Sequence, residues 1–363
     1  MMQGKKIHFN GLNEPRAIAA LCVVFHHLEQ YNSQIDVINL FGVNGVSYFI
    51  INLGKNAVYL FFVLSGFLIT YLLLLEKETK NKINIRNFYL RRIFRIWPLY
   101  YIILIISFLF IPFIVNVTNF FNTETYYIKL INSSEPYSFR SIIVYFLLLS
   151  NLGIPVVGAA QTWSISVEEQ FYLIWPNIVN FTKTETLIPT PLLLPTLLTL
   201  YKAYNLPFTK YLIYFPIEIM SVGGFFAYIK YYFNDRIIII FKNNYLFLLS
   251  IFLVLLIVFF KCNPPLRAMV FSILIPPTIE DRRANLRSKL LSRLGLISYG
   301  TYMHHPLRTF LPPAINNHLF RSNVAPYKIG FYTLTLIPTL VISYPSYKHI
   351  ELKLLKIKDK RFS

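Results

Sequence analysis

Residues 13–28 read NEPRAIAALCVVFHHL, an apolar run with an arginine near its start and two histidines near its end. The run is long and greasy enough for a bilayer-crossing helix, and the rest of the chain is read outward from it. Arg16 and His27 are eleven residues apart. At about 100° per residue this is three turns and roughly 20° more, so the two side chains share a face. His26 falls roughly 80° from that face. At about 1.5 Å rise per residue, Arg16 and His27 stand roughly 16 Å apart along the axis. An ionisable group in hydrocarbon is costly and is kept where it faces a wet interior or does chemistry. The competing reading is a snorkelling Arg16 and a neutral histidine bonded to a neighbouring helix.

Composition supports the membrane assignment. Of 363 residues, 55% are hydrophobic and 14% charged, where a soluble domain carries about 25% charged residues. Apolar runs recur near bilayer length at 10–30, 53–75, 96–116, 163–181, 187–204, 211–232, 245–261, 265–279, 294–316 and 327–348. The expected fold is therefore all-α, a single integral membrane domain over 1–363 with about ten transmembrane helices. The short basic N-terminus, with Lys5 and Lys6, has no small-residue cleavage site, so the first run is read as an uncleaved span.

The formal net charge is +19. In a soluble protein that balance would suggest nucleic acid, but here the basic residues sit in loops between apolar runs and no nucleic-acid partner is expected. Arginines and lysines crowd 77–95, 236–242, 282–293 and 353–361, and the alternate connections are poor in them. By the positive-inside rule both termini are cytoplasmic. Basic inner loops also suit anionic partners, either membrane lipids or a phosphorylated co-substrate. The two cysteines, Cys22 and Cys262, are too few and too distant to predict a disulfide framework or a metal site.

One further apolar run, SIIVYFLLLSNLGIPVVGAA at 141–160, would reverse the side of every later loop if it spanned as well. It is read as a partial, re-entrant segment broken by Gly153 and Pro155. The rival assignment lets it span and demotes 187–204, which carries Pro189, Pro191 and Pro195.

Four more stretches depart from plain lipid-facing helix. KNAVYLFFVLSGFLIT (55–70) closes the second span with Ser65 and Gly66, read as a close helix contact. NFYLRRIFRIWPLYY (87–101) sets Arg91, Arg92 and Arg95 ahead of the third span. Arg91 and Arg95 are one turn apart, and guanidinium forks match phosphate, while a topology signal explains the cluster equally well. QTWSISVEEQFYLIWP (161–176) carries Glu168 and Glu169 inside an apolar segment, with Glu168, Tyr172 and Trp175 on one stripe. Such a carboxylate suits orienting a histidine or accepting its proton, and equally a structural ion pair with an arginine. LGLISYGTYMHHPL (294–307) aligns Ser298, Tyr302 and His305, with His304 about 120° away; Pro306 predicts a kink. Those three form either a polar seam between helices or part of a site.

In this order, FFVLSGFLIT (61–70), FYLRRIFRIWPLYY (88–101), QTWSISVEEQFY (161–172), ISYGTYMHHP (297–306) and the Arg16–His27 pair resemble acyltransferase family 3, bacterial membrane enzymes that O-acylate polysaccharides and other surface glycans. The resemblance implies a multi-pass protein of the bacterial inner (plasma) membrane. It implies an acyl-CoA, in the first instance acetyl-CoA, as co-substrate and a glycan as acceptor, with no metal. It carries His27, Glu168 and Arg16 over as catalytic and Arg91, Arg92 and Arg95 as donor-binding. His305 fits the late histidine better than His304, and with Ser298 and Tyr302 it is expected to bind substrate. LNEP precedes Arg16 where members commonly have aspartate and glycine, and Lys55 stands at a recurrent basic position in an altered neighbourhood. The esterase-like domain fused to some members is expected to be absent. The competing function is a transporter or flippase for a glycan or lipid-linked sugar, because buried histidines and carboxylates also build proton relays.

Overall fold

The computed structural model describes residues 10–34, 45–113, 135–181, 197–198, 200–202, 204, 207, 214–233, 244–259, 263–280, 288–315 and 325–362; among these residues there is no strand. The helices are α1 (Asn13–Gln34), α2 (Gly45–Lys80), α3 (Ile85–Ile105), α4 (Phe139–Phe146), α5 (Thr162–Phe181) and α6 (Ile217–Tyr232). They continue as α7 (Asn244–Phe259), α8 (Pro264–Glu280), α9 (Lys289–Leu296), α10 (Ser298–Ile315), α11 (Ala325–Ser346) and α12 (Leu352–Phe362). Among the described residues, three stretches are long and apolar enough to cross a bilayer: Asn52–Lys80, Ile85–Phe113 and Ile329–Ile357. The described residues thus form a helical membrane protein. The helix predicted over 187–204 lies largely outside the described residues, as do Cys262 and the arginines at 282, 283 and 287.

α1 packs along α2, α9 and α10. Ala17, Ala19, Ala20, Val23, Val24 and Leu28 are buried along it. Small side chains let the neighbouring backbones close in, which supplies most of the association energy where lipid is as apolar as leucine. At Gly54 an added Cβ would stand 2.0 Å from the His26 Cβ, and at Gly295 it would stand 2.1 Å from the Asn13 carbonyl oxygen.

The tightest seam joins α2 to α6. A Cβ on Gly66 would lie 1.9 Å from the Met220 carbonyl oxygen, and one on Gly223 would lie 2.2 Å from that of Val63. Beside it, Trp175 Nε1 donates to Thr70 Oγ1 at 2.8 Å, and Thr70 donates on to the Gly66 carbonyl at 2.7 Å. Because backbone cannot swing aside as a flexible side chain can, Gly66→Ala is expected to destabilise the folded protein by about 1–3 kcal/mol. The check is a lowered melting temperature in detergent, with Gly330→Ala unchanged, since a Cβ there meets nothing within 4 Å.

The 141–160 run is not one helix. α4 ends at Phe146, Leu148 adopts a positive φ of 59°, a 3-10 turn covers Ser150–Leu152, and irregular chain leads to α5. The break therefore falls at Leu147–Leu149, ahead of the Gly153 and Pro155 that predicted it. Irregular backbone survives in a membrane protein only when its polar groups find protein partners. Here Tyr100 Oη donates to the Tyr145 carbonyl at 2.8 Å, and Tyr145 Oη donates to the Ile154 carbonyl at 3.0 Å. Ser150 Oγ and Ser166 Oγ meet at 2.7 Å. The span read at 294–316 is likewise divided, with Ile297 separating α9 from α10. Ser298 thus begins a helix instead of lying within one.

Candidate active site

A cavity of about 510 Å³ lies among α1, α2, α3, α5, α10 and the C-terminal tail. Val58, Phe61, Phe62, Leu68, Ile69 and Leu72 of α2 give it an apolar wall. Arg16, Arg92, Arg95, Glu168 and Tyr172 face that wall, with Ser298 and Tyr302 beside them. The described lining holds four cationic side chains, Arg16, Arg92, Arg95 and Lys356, against the carboxylates Glu168 and Glu351. The formal excess of positive charge, inside low-dielectric walls, favours an anionic ligand with an apolar portion.

The three predicted donor-binding arginines do not act as one set. Arg92 and Arg95 line the cavity. Arg91 is turned from it and pairs with Glu76 of α2 at 3.0 Å. The face expected from the one-turn spacing of Arg91 and Arg95 is therefore corrected to Arg92 and Arg95. Arg92 stacks over the rings of Phe88 and Tyr172, its Cζ 5.6 and 5.7 Å from their centres, and its buried Nε has no hydrogen-bond partner among the described residues. Stacking fixes the guanidinium plane and leaves donor capacity unused.

Glu168 accepts hydrogen bonds from Ser65 Oγ at 3.1 Å and Tyr172 Oη at 2.8 Å. Its charged neighbours are Arg95 and Arg16. The hydrogen bonds that place Glu168 run to a serine and a tyrosine, so the carboxylate belongs to the arginine cavity, and the direct contact with a histidine envisaged from the sequence is not among them. Ser65, read as a packing residue, is one of its two anchors. Glu169 instead receives Trp97 Nε1 at 3.0 Å and ties α5 to α3.

His27 points from α1 toward α10, where its ring stacks on His305 with centroids 5.0 Å apart and planes 30° apart. His26, buried in the Gly54 contact, meets His27 edge-on at 4.8 Å. His305 is fully buried, and its Nδ1 lies 2.7 Å from the Tyr302 carbonyl. Pro306 explains that contact: it has no N–H to return to the carbonyl four residues earlier, which is Tyr302. His305 Nδ1–H takes the vacated acceptor and leaves the lone pair on Nε2. The helix runs on through Pro306 to Ile315. His27 and His305 are not in the cavity lining; Tyr302 is the link, lining the cavity and standing 5.8 Å from His305 ring to ring.

Tyr302 is itself locked by the start of α5. Its hydroxyl meets Ser164 Oγ at 2.7 Å and donates to the Gln161 carbonyl at 3.1 Å. Gln161 Nε2 donates to the Met303 carbonyl at 2.8 Å. Gln161 and Ser164 lie in a stretch singled out for its glutamates, and nothing in helical periodicity marks them as partners of residues some 140 positions away. Gln161→Ala removes an interhelical bond that orients the Tyr302–His305 turn. It is expected to lower turnover by about tenfold with little change in donor KM, as loss of roughly 1–1.5 kcal/mol of orientation would. Steady-state kinetics with the donor varied checks this.

A helical membrane bundle with a partly enclosed, net cationic cavity near a histidine pair is the setting in which the sequence comparisons fall. A family model described as an acyltransferase domain matches residues 10–348, and the chain belongs to that family, acyltransferase family 3. Peptidoglycan O-acetyltransferase OatA of Listeria monocytogenes is 30% identical over 167 residues, covering 44% of this chain and 22% of that protein. O-acetyltransferase OatA of Staphylococcus aureus is 24% identical, covering 97% of this chain and 58% of that protein. The chain therefore spans well under two thirds of the length of either relative. No solved structure matches it.

Proposed function

We propose that this protein is a membrane O-acyltransferase that moves an acyl group, acetyl in the first instance, from acyl-CoA to a hydroxyl of a cell-surface or exported glycan. One observation carries the reading: an arginine-lined cavity is joined through Tyr302 to the stacked His27–His305 pair. Arg16, Arg92 and Arg95 suit the donor's phosphates, and the apolar α2 wall suits its pantetheine arm. Family membership supports the chemistry, and a relative named for peptidoglycan O-acetylation supports a glycan acceptor. The reading includes about ten spans in the bacterial plasma membrane with both termini cytoplasmic, so that donor arrives from the basic inner face.

In this mechanism His27 accepts the proton of the acceptor hydroxyl as the oxygen attacks the thioester carbonyl. The tetrahedral intermediate collapses, the C–S bond breaks, and the CoA thiolate takes a proton back from the imidazolium. In the alternative order His27 attacks the thioester carbonyl and the C–S bond breaks to release the CoA thiolate; the acceptor hydroxyl then attacks the acyl-imidazole, the N–acyl bond breaks, and the hydroxyl proton passes to the thiolate through the freed imidazole. Glu168, set by Ser65 and Tyr172, offsets the charge of Arg16 and Arg95 and keeps them extended into the cavity. The test is transfer of label from acetyl-labelled acetyl-CoA to a glycan extract by the chain in proteoliposomes. Labelled glycan is the expected result. No transfer to any of several acceptors, with the protein folded, would overturn the reading in favour of transport.

A further inference from the structure

Part of the cavity wall comes from the end of the last predicted span and the basic stretch that follows it. Tyr347, Glu351, Leu352, Leu355 and Lys356 line the cavity, and all but Tyr347 lie beyond the residues that the family model matches. The helix reaches them through a π-helical turn, Tyr347–Glu351, between α11 and α12. A π turn adds a residue to the helical repeat and rotates everything after it, a device frequent at functional sites. It lays Tyr347 and Glu351 on the same side as Leu352, Leu355 and Lys356 and packs the tail on α3, the helix of Arg92 and Arg95.

Glu351 is only 6% exposed, and its Oε1 has no hydrogen-bond partner among the described residues. Its cationic neighbour is Arg95, which also neighbours Tyr347. A buried carboxylate with an unsatisfied oxygen costs stability unless a charge or ligand offsets it. In a cavity with a net positive lining, that carboxylate shares the wall with Arg95, the guanidinium that a phosphate would seek.

We infer that the tail over 347–356 is a wall of the anion site, in which Glu351 is a positioning residue that competes with the ligand's phosphate for Arg95 and Lys356 is a further phosphate contact. The inference rests on the donor reading only in taking the ligand to be a phosphate ester. A carboxylate in this position weakens anion binding and so favours release of the spent, phosphate-bearing product after each transfer.

The experiment is equilibrium binding of two probes, coenzyme A and inorganic pyrophosphate, to the full chain in nanodiscs at two salt concentrations, with melting temperature recorded for every variant. Glu351→Gln is expected to bind both probes about five- to tenfold tighter and with a steeper salt dependence, because one opposing charge is gone. Glu351→Asp should restore the wild-type affinity, and Lys356→Gln should weaken binding several-fold. A Glu351→Gln protein that melts normally and binds both probes no more tightly than wild type overturns the inference. Pyrophosphate binding that depends on Glu351, with no coenzyme A binding, would uphold the tail as an anion wall and remove coenzyme A as the ligand. Binding of neither probe to wild type would overturn both.

Discussion

His27→Ala is expected to lower acyl transfer by about 10²- to 10⁴-fold, the range set by loss of a positioned general base, with coenzyme A affinity within about twofold of wild type. The asymmetry follows from placement. The imidazole stacks on His305 at 5.0 Å, one layer beyond the cavity, so its removal takes no cation from the arginine-lined wall. His26→Ala is the informative companion. His26 lies in the Gly54 contact between α1 and α2, so the expected loss is in melting temperature, with less than about tenfold in rate. Equal rate losses in the two variants would mean that the doublet acts through packing alone.

Arg95→Ala and Arg92→Ala are expected to raise the donor KM by about 10- to 100-fold, the cost of losing one charge-assisted phosphate contact of roughly 1.5–3 kcal/mol. kcat should change far less. Arg91→Ala separates this from a loss of loop charge: its guanidinium is paired with Glu76 outside the cavity, so donor KM should move by less than about threefold. If all three substitutions behaved alike, the cluster would be a topology signal. Initial rates with acetyl-CoA varied over two decades distinguish the outcomes.

The sequence carried what is local. Helical phase set Arg16 and His27 on one face and His26 off it, and the structure has Arg16 in the cavity, His27 stacked on His305 and His26 wedged at Gly54. Of the stripe Ser298, Tyr302 and His305, the first two line the cavity and His305 lies behind Tyr302, against His27. What failed was fixed by partners distant in the chain. Arg91 and Arg95 are one turn apart, yet Glu76 on the preceding helix draws Arg91 out of the site. Glu168 suggested a partner for a histidine, but its oxygens are taken by Ser65, 103 residues away, and by Tyr172. The break at Ile297 and the π turn before α12 change helical phase inside what reads as continuous span, and the nearby Gly295 and Pro345 do not by themselves predict either. Lys356 consequently reads as tail charge and nothing singles out Glu351, although both line the cavity.

The central claim is that donor phosphates and acyl carbon occupy opposite ends of one buried path, from Arg16, Arg92 and Arg95 to His27. A cryo-EM structure of the chain in nanodiscs with coenzyme A bound measures it directly. The account predicts phosphate density among those three arginines and Lys356, with the thiol directed past Tyr302 toward the His27–His305 stack. Coenzyme A bound elsewhere, or an imidazole pair facing lipid with no path from the arginines, would contradict it.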